Sequence, residues 1–187
     1  MSAASLDRIH TQILWDRLLA VVEEQAQTLV RTAFSTTVRE AGDISAGVFD
    51  THGRMLAQAV TGTPGHVNAM AASVGFFLRK FPVDSLHPGD VLLTNDPWYG
   101  TGHLNDFTVI TPVFKDGRPV ALFAATSHIA DVGGLGFGPD GRQVFEEGLN
   151  IPMGYLYRAG RPNEVLLEIL RANVRDPRAA EGDLHSL

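Results

Sequence analysis

The chain has no cysteine among its 187 residues. That removes a disulfide framework, a thiolate metal site and a cysteine nucleophile, so any metal must be held by histidines and carboxylates. It also lacks a Lys/Arg-rich run. The net charge of -6 is spread along the sequence, which argues against nucleic acid or an anionic membrane surface as a partner. The longest uncharged apolar stretch, Val67 to Leu78, is too short and too rich in Ala, Ser and Gly to span a bilayer. The opening MSAASLDRIH lacks the basic and apolar regions of a secretory signal, so the expected location is the cytoplasm. No internal repeat or low-complexity linker interrupts the chain. With 44% hydrophobic and 19% charged residues, it reads as one folded segment able to bury a core.

What is present reads as alternating helical and extended patterns. From Leu6 to Ala33 apolar residues recur at helical spacing through Ile9, Ile13, Leu18, Val22, Ala26 and Leu29, which predicts a long amphipathic helix. Ser5 is placed to cap it, with Asp7 in its first turn. Ile44 to Phe49 and Arg54 to Ala59 flank a turn at Asp50 to Gly53 and read as a hairpin. Thr63-Pro64 resembles an N-cap and N1 proline opening a helix that runs through Leu78. Val91 to Thr94 is a short strand, and a loop from Asn95 to Gly102 leads to another strand at Phe107 to Phe114. Lys115-Asp116-Gly117-Arg118 is a hairpin signal that returns the chain as Pro119 to Thr126. After a glycine-rich loop, Gly133 to Gly141, an extended stretch reaches Tyr157, and a final amphipathic helix covers Glu164 to Asn173 before a polar end. The expected architecture is α+β: a long N-terminal helix, mixed or antiparallel hairpins and packed helices, not a doubly wound sheet.

The residues with metal chemistry gather around the second hairpin. His103-Leu104-Asn105-Asp106 lies where a loop enters a strand, so the two ligand-type groups can converge as they could not inside a regular strand. If Asp116-Gly117 makes a two-residue turn, Lys115 pairs with Arg118, Asp106 falls opposite Ser127 and Asn105 opposite His128. That brings His128 to the same end as His103 and Asp106, though a one-residue slip would turn His128 to the other face. Two imidazoles and a carboxylate, with positions left for water or substrate, form a recurring open site for Mn, Fe or Zn. The same spacing also suits surface or capping histidines.

Several other groups have two readings each. Asp131 follows His128 closely enough to accept from a ligand imidazole or to join the ligands. His66, at a predicted helix start, is either a neutral imidazole available as donor or base, or a capping group. Asp96 suits a turn anchored through its own backbone bonds, and Asp43 a turn or a polar wall of the site. The loop Gly133 to Pro139 lacks the endings of a phosphate or dinucleotide cradle, leaving a lid or a plain connection. Glu146 and Glu147 either reach the site or face solvent.

Five separated motifs together resemble the hydantoinase B / 5-oxoprolinase B-subunit family: Asn95-Asp96-Pro97-Trp98, Gly102 to Asp106, Ser127 to Gly134, Glu146 to Leu149 and Arg171 to Arg175. The stretch from Phe34-Ser35 to Asp50 and Pro64-Gly65-His66 match as well, so the likeness covers essentially the whole chain. It implies a metal-bearing subunit that works with an A-type, ATP-using subunit in a hetero-oligomer. The partner activates the carbonyl of a cyclic amide, or a ketone in relatives of the acetone carboxylase type, by phosphorylation. It also implies His103, Asp106 and His128 as ligands of a divalent metal, with Mn, Zn and Fe all in range. His66 and Asp131 are then the candidate catalytic residues. Because B-type subunits run several hundred residues further than Leu187, the chain is expected to be the N-terminal part of such a domain and inactive without its partner. The leading expectation is hydrolysis of a hydantoin, 5-oxoproline or lactam ring. The alternatives are ketone carboxylation and an inactive fragment serving assembly, the last favoured by any exposed apolar face on the first helix.

Overall fold

The computed structural model describes residues 3–136 and 138–187, with side chains from Leu6 onward. Helix α1 (Ala3–Thr32) and one turn, α2 (Thr36–Arg39), lead into β1 (Ile44–Phe49) and β2 (Met55–Gln58). Helix α3 (Pro64–Lys80) follows, then β3 (Val91–Thr94), β4 (Asp106–Lys115) and β5 (Arg118–His128). A second single turn, α4 (Val144–Glu147), precedes β6 (Gly154–Arg158) and β7 (Arg161–Pro162), and α5 (Glu164–Asn173) and α6 (Pro177–Ser186) complete the chain. The strands form one antiparallel sheet in the order β2-β1-β5-β4-β3-β6-β7. The α+β expectation, both hairpins and helices α1, α3 and α5 therefore hold.

Helices cover the sheet on both sides, which is why β1 is buried at every position. On one face, Met70, Val74 and Phe77 of α3 pack on Phe49, Leu92, Ile110, Leu122 and Ala124. On the other, Ala26 and Leu29 of α1 lie over Ile44, Ala46 and Ala125, and Val22 over Val48 and Ala57. Leu167 and Leu170 of α5, with Ala180 and Leu184 of α6, cover Leu93, Phe107 and Val109 further along. Each fully buried Leu or Phe in these layers contributes roughly 1.5–3 kcal/mol.

Helix α1 divides at about Leu18. Val22, Ala26 and Leu29 are buried, whereas Leu6, Ile9, Ile13 and Trp15 are exposed and Leu14 is 61% exposed. The helix has already begun at Ala3, so Ser5 sits inside it rather than at its cap. The polar end also departs from expectation, since it forms α6. Pro177 takes the first helical position, and Asp176 caps the helix by accepting from the Ala179 N–H at 3.0 Å. Asp183, buried on α6, accepts from the Phe34 and Ser35 N–H groups at 2.7 and 3.0 Å and so ties the end of α1 to the C-terminal helix.

The second hairpin turns at Asp116 and Gly117, with φ of 51° and 75°, as expected for a two-residue Asp-Gly loop. Its register does not run straight from that turn. Phe114 pairs with Pro119 but Val113 pairs with Ala121, which leaves Val120 as an extra residue in β5. Beyond this bulge every pair shifts by one: Asp106 lies opposite His128 and Phe107 opposite Ser127. In the straight register Asp106 and His128 would point to opposite faces. The bulge makes them cross-strand neighbours on the α3 face.

Candidate metal centre

Three adjacent strands deliver one polar side chain each to the same end of the sheet. Asp106 starts β4 and His128 ends β5 opposite it. Asp43 stands just before β1, where its carbonyl takes the His128 N–H at 3.1 Å. Inward of this row, Thr108 and Thr126 hydroxyls meet at 3.1 Å across the same pair of strands. His103 enters from the loop before β4, and His66 from the first turn of α3. The α3 terminus comes this close because Gly62 has φ of 143° and a Cβ there would stand 2.5 Å from the Ile44 carbonyl oxygen, an approach only glycine permits. Thr63 occupies the N-cap of α3 without capping it. Its hydroxyl instead donates to Asp43 Oδ1 at 2.7 Å.

His103, Asp106 and His128 converge, with one ligand atom from each lying within 4.8 Å of the others. His128 Nδ1 is 3.1 Å from Asp106 Oδ1 and His103 Nε2 is 3.5 Å from Asp106 Oδ2, separations of the kind donors keep when they share an ion at about 2.1 Å. His66 Nε2 stands 3.4 Å from Asp106 Oδ2 and 3.6 Å from Asp43 Oδ1, and Asp43 Oδ2 is 3.8 Å from His128 Nδ1. The Thr101 hydroxyl donates to Asp106 Oδ2. Asp106 is 1% exposed. Burial alone would raise its pKa, but hydrogen bonds from His128, His66 and Thr101 and the nearby charge of His103 outweigh it and hold the carboxyl well below the usual range. Burial likewise lowers the His66 imidazole, yet Asp106 and then Asp43 raise it overall.

Asp131 does not join this group. Its carboxylate accepts from the Gly133, Arg175 and Asp176 N–H groups and from the Arg175 guanidinium. Arg175 also donates to the Gly133 and Gly134 carbonyls, so Asp131 and Arg175 clamp the base of the glycine-rich loop. The loop lines a cleft of about 480 Å³ through Leu135, Gly136, Gly138, Pro139 and Gly141, facing His103, Asn105, His128, Glu146 and Glu147. Phe137, within it, lies outside the described residues. Of the two readings for Glu146 and Glu147, the structure has both bordering the cleft.

Asn95 holds the surrounding loops in place. Fully buried, its amide donates to the Leu104 and Leu149 carbonyls at 2.7 and 2.8 Å and its oxygen accepts the Ile151 N–H at 2.6 Å. The neighbouring Asp96 forms the expected turn, accepting the Trp98 N–H at 3.0 Å. No local pattern marks Thr101, and the place of Asp43 beside His128 depends on pairing between β1 and β5, which are far apart in the chain.

A family model for hydantoinase B/oxoprolinase matches residues 7–187. 5-oxoprolinase 1 of Arabidopsis thaliana is 38% identical over 148 residues, covering 78% of this chain and 12% of that protein. The caprolactamase subunit beta of Pseudomonas jessenii is 31% identical over 189 residues, 97% of this chain and 32% of that subunit. The crystal structure of ATP-dependent caprolactamase from the same organism aligns with a TM-score of 0.79 at 28% identity, over 94% of this chain and 31% of the other. A nucleotide-free structure of acetone carboxylase, described with the mechanism of ATP-dependent acetone carboxylation, aligns with a TM-score of 0.85 at 24% identity, over 96% of this chain and 24% of the other. That last likeness is one of fold. The chain thus spans about a third or less of each of these relatives.

Proposed function

The chain belongs to the hydantoinase B/oxoprolinase family, and from that premise we propose that it carries the metal-binding part of an ATP-dependent hydrolase of cyclic amides. In this reading it opens a hydantoin, 5-oxoproline or lactam ring within a hetero-oligomer whose A-type subunit uses ATP to activate the ring carbonyl. The observation that carries the proposal is the convergence of His103, Asp106 and His128 beside a cleft of about 480 Å³, a size typical of small-molecule sites. Two imidazole nitrogens and an ionised carboxylate suit Zn or Mn, with Fe also accommodated. A divalent ion bound there supplies hydroxide near neutral pH by lowering the pKa of its water, and polarises the carbonyl.

The chain's own residues prepare that chemistry. Thr101 and His66 steady the Asp106 carboxylate from the side away from His128 Nδ1, fixing which oxygen each imidazole meets. His66 faces Asp106 and Asp43, which supports a role in positioning the Asp106 carboxylate. Asp43 supplies a second carboxylate that keeps the centre attractive to a cation.

The test is ring opening by the chain assembled with an ATP-using A-type subunit, with bound metal measured by mass spectrometry. His103→Ala and His128→Ala are expected to lose the metal and slow ring opening at least about hundredfold. Activity that survives both substitutions would overturn the mechanism. Incorporation of labelled bicarbonate into a ketone, with no ring opening, would move the assignment to carboxylation.

A further inference from the structure

Both carboxylates of the Glu146-Glu147 pair border the cleft, but they are held differently. Glu146 is taken up within its own turn, where Oε2 accepts the Arg142 N–H at 2.6 Å. Glu147 reaches across to the ligand loop. Its Oε2 faces the Leu104 N–H at 3.4 Å, next to His103, and its Oε1 has no hydrogen-bond partner among the described residues. The backbone fixes this reach. Gly148 has φ of 140°, and a Cβ there would stand 2.3 Å from the Val132 carbonyl oxygen, so α4 ends pressed against the segment that follows β5 and His128. On the other side, a Cβ at Gly141 would stand 3.4 Å from the Glu147 side chain. No Lys or Arg is among the described residues lining the cleft. Among the described residues lining it, the ionisable groups are the two imidazoles and these two carboxylates.

Resting on the hydrolase reading above, we propose that Glu147 is the proton carrier to the ring nitrogen and so the catalytic residue for the leaving group. In a ring amide the carbonyl oxygen and the N–H share one edge, so a cyclic amide whose carbonyl faces the His103–Asp106–His128 centre brings its ring N–H beside the His103–Leu104 loop, where Oε1 of Glu147 accepts it. In the ring-opening step a C–O bond to water forms as the C–N bond breaks, and the phosphoryl group with which the partner activated the carbonyl oxygen is released as phosphate by a second water. The proton lost by the first water passes through the Glu147 carboxylate to the nitrogen, which leaves as an amine, and the carboxylate returns to its starting state. Such a carrier matters most when the departing nitrogen is strongly basic and cannot leave unprotonated. The favoured substrates are therefore lactams with an unsubstituted ring nitrogen.

The experiment compares 2-pyrrolidone, whose nitrogen leaves as a basic alkylamine, with hydantoin, whose leaving nitrogen is of the less basic urea type. The enzyme is assembled with its ATP-using partner, and metal content is measured alongside. Glu147→Gln is expected to slow opening of 2-pyrrolidone by about hundredfold or more and that of hydantoin by less than about tenfold, with metal content unchanged. Glu147→Asp keeps a carboxylate and is expected to hold the ratio of the two rates within about fivefold of the wild-type ratio. Equal slowing of both rings, or none, overturns the assignment while leaving the hydrolase reading intact. A wild-type enzyme that binds metal and opens neither ring overturns both.

Discussion

At its turn end, the β4–β5 hairpin carries Lys115, Asp116, Gly117 and Arg118 into solvent, and its pairing is the one an Asp-Gly loop dictates. At its open end the same two strands bury Asp106 and His128 side by side. Between the two ends lies one unpaired residue, Val120, 48% exposed. The turn decides which strands pair and the bulge decides which side chains meet. A hairpin signal therefore fixes topology but not the facing of residues beyond an irregularity.

The sharpest way to break that contrast is to delete Val120. Restoring the straight register is expected to leave the turn intact but send Asp106 and His128 to opposite faces, with metal affinity falling at least about hundredfold. Titration with Zn, beside circular dichroism to confirm the sheet, checks this. A variant that binds as tightly as the parent would mean that the register does not govern the site.

Asn95→Ala probes the open end from its supports. Losing three buried hydrogen bonds, with two carbonyls and an N–H left unpaired, is expected to cost about 3 kcal/mol. Urea unfolding measures it, and a loss below about 1 kcal/mol would show that the loops hold without this hub.

The smallest effect belongs to Asp131, outside the ligand group. Burial opposes its ionisation, but the Gly133, Arg175 and Asp176 N–H groups and the Arg175 side chain lower its pKa in the fold. A lowered folded pKa stabilises above the unfolded value, near 3.9, and that stabilisation is lost as pH falls through the folded value. Asp131→Asn is therefore expected to be less stable than the parent at neutral pH, by about 1 kcal/mol, and the two curves to converge below about pH 4. A gap that persists undiminished into acid would place the loss in geometry rather than charge.

What could be read from the sequence was local. The periodicity of Val22, Ala26 and Leu29, the Thr63-Pro64 start and the Asp116-Gly117 turn each specify an element through neighbours in the chain, and the second hairpin brings His103, Asp106 and His128 to one end of the sheet, while their facing depends on the bulge. The misses have equally physical causes. The bulge has no residue type of its own, although Pro119, unable to donate to a ladder, marks a place where pairing is weak. Helix α6 was signalled by Asp176-Pro177, the same cap and proline pattern that opened α3, but its polar surface hid Ala180 and Leu184. Asp131 found Arg175 rather than an imidazole, and Asp43 found His128, through contacts distant in the chain. The apolar residues on the outer half of α1 followed the helical pattern too, and periodicity alone does not say which stretch finds a core.

Sequence separation also sets an order of assembly. Asp106 and His128 are 22 residues apart, whereas Asp183 clasps Phe34 across 149. Closing the longer loop costs about 1.7 kcal/mol more in chain entropy, and contacts of low separation form faster. In refolding, the hairpin that carries Asp106 and His128 is thus expected to close before the clasp between the chain's two helical ends. If the centre proposed above holds an ion, adding Zn at the start of refolding is expected to act on the hairpin end before the clasp between Asp183 and Phe34 has closed.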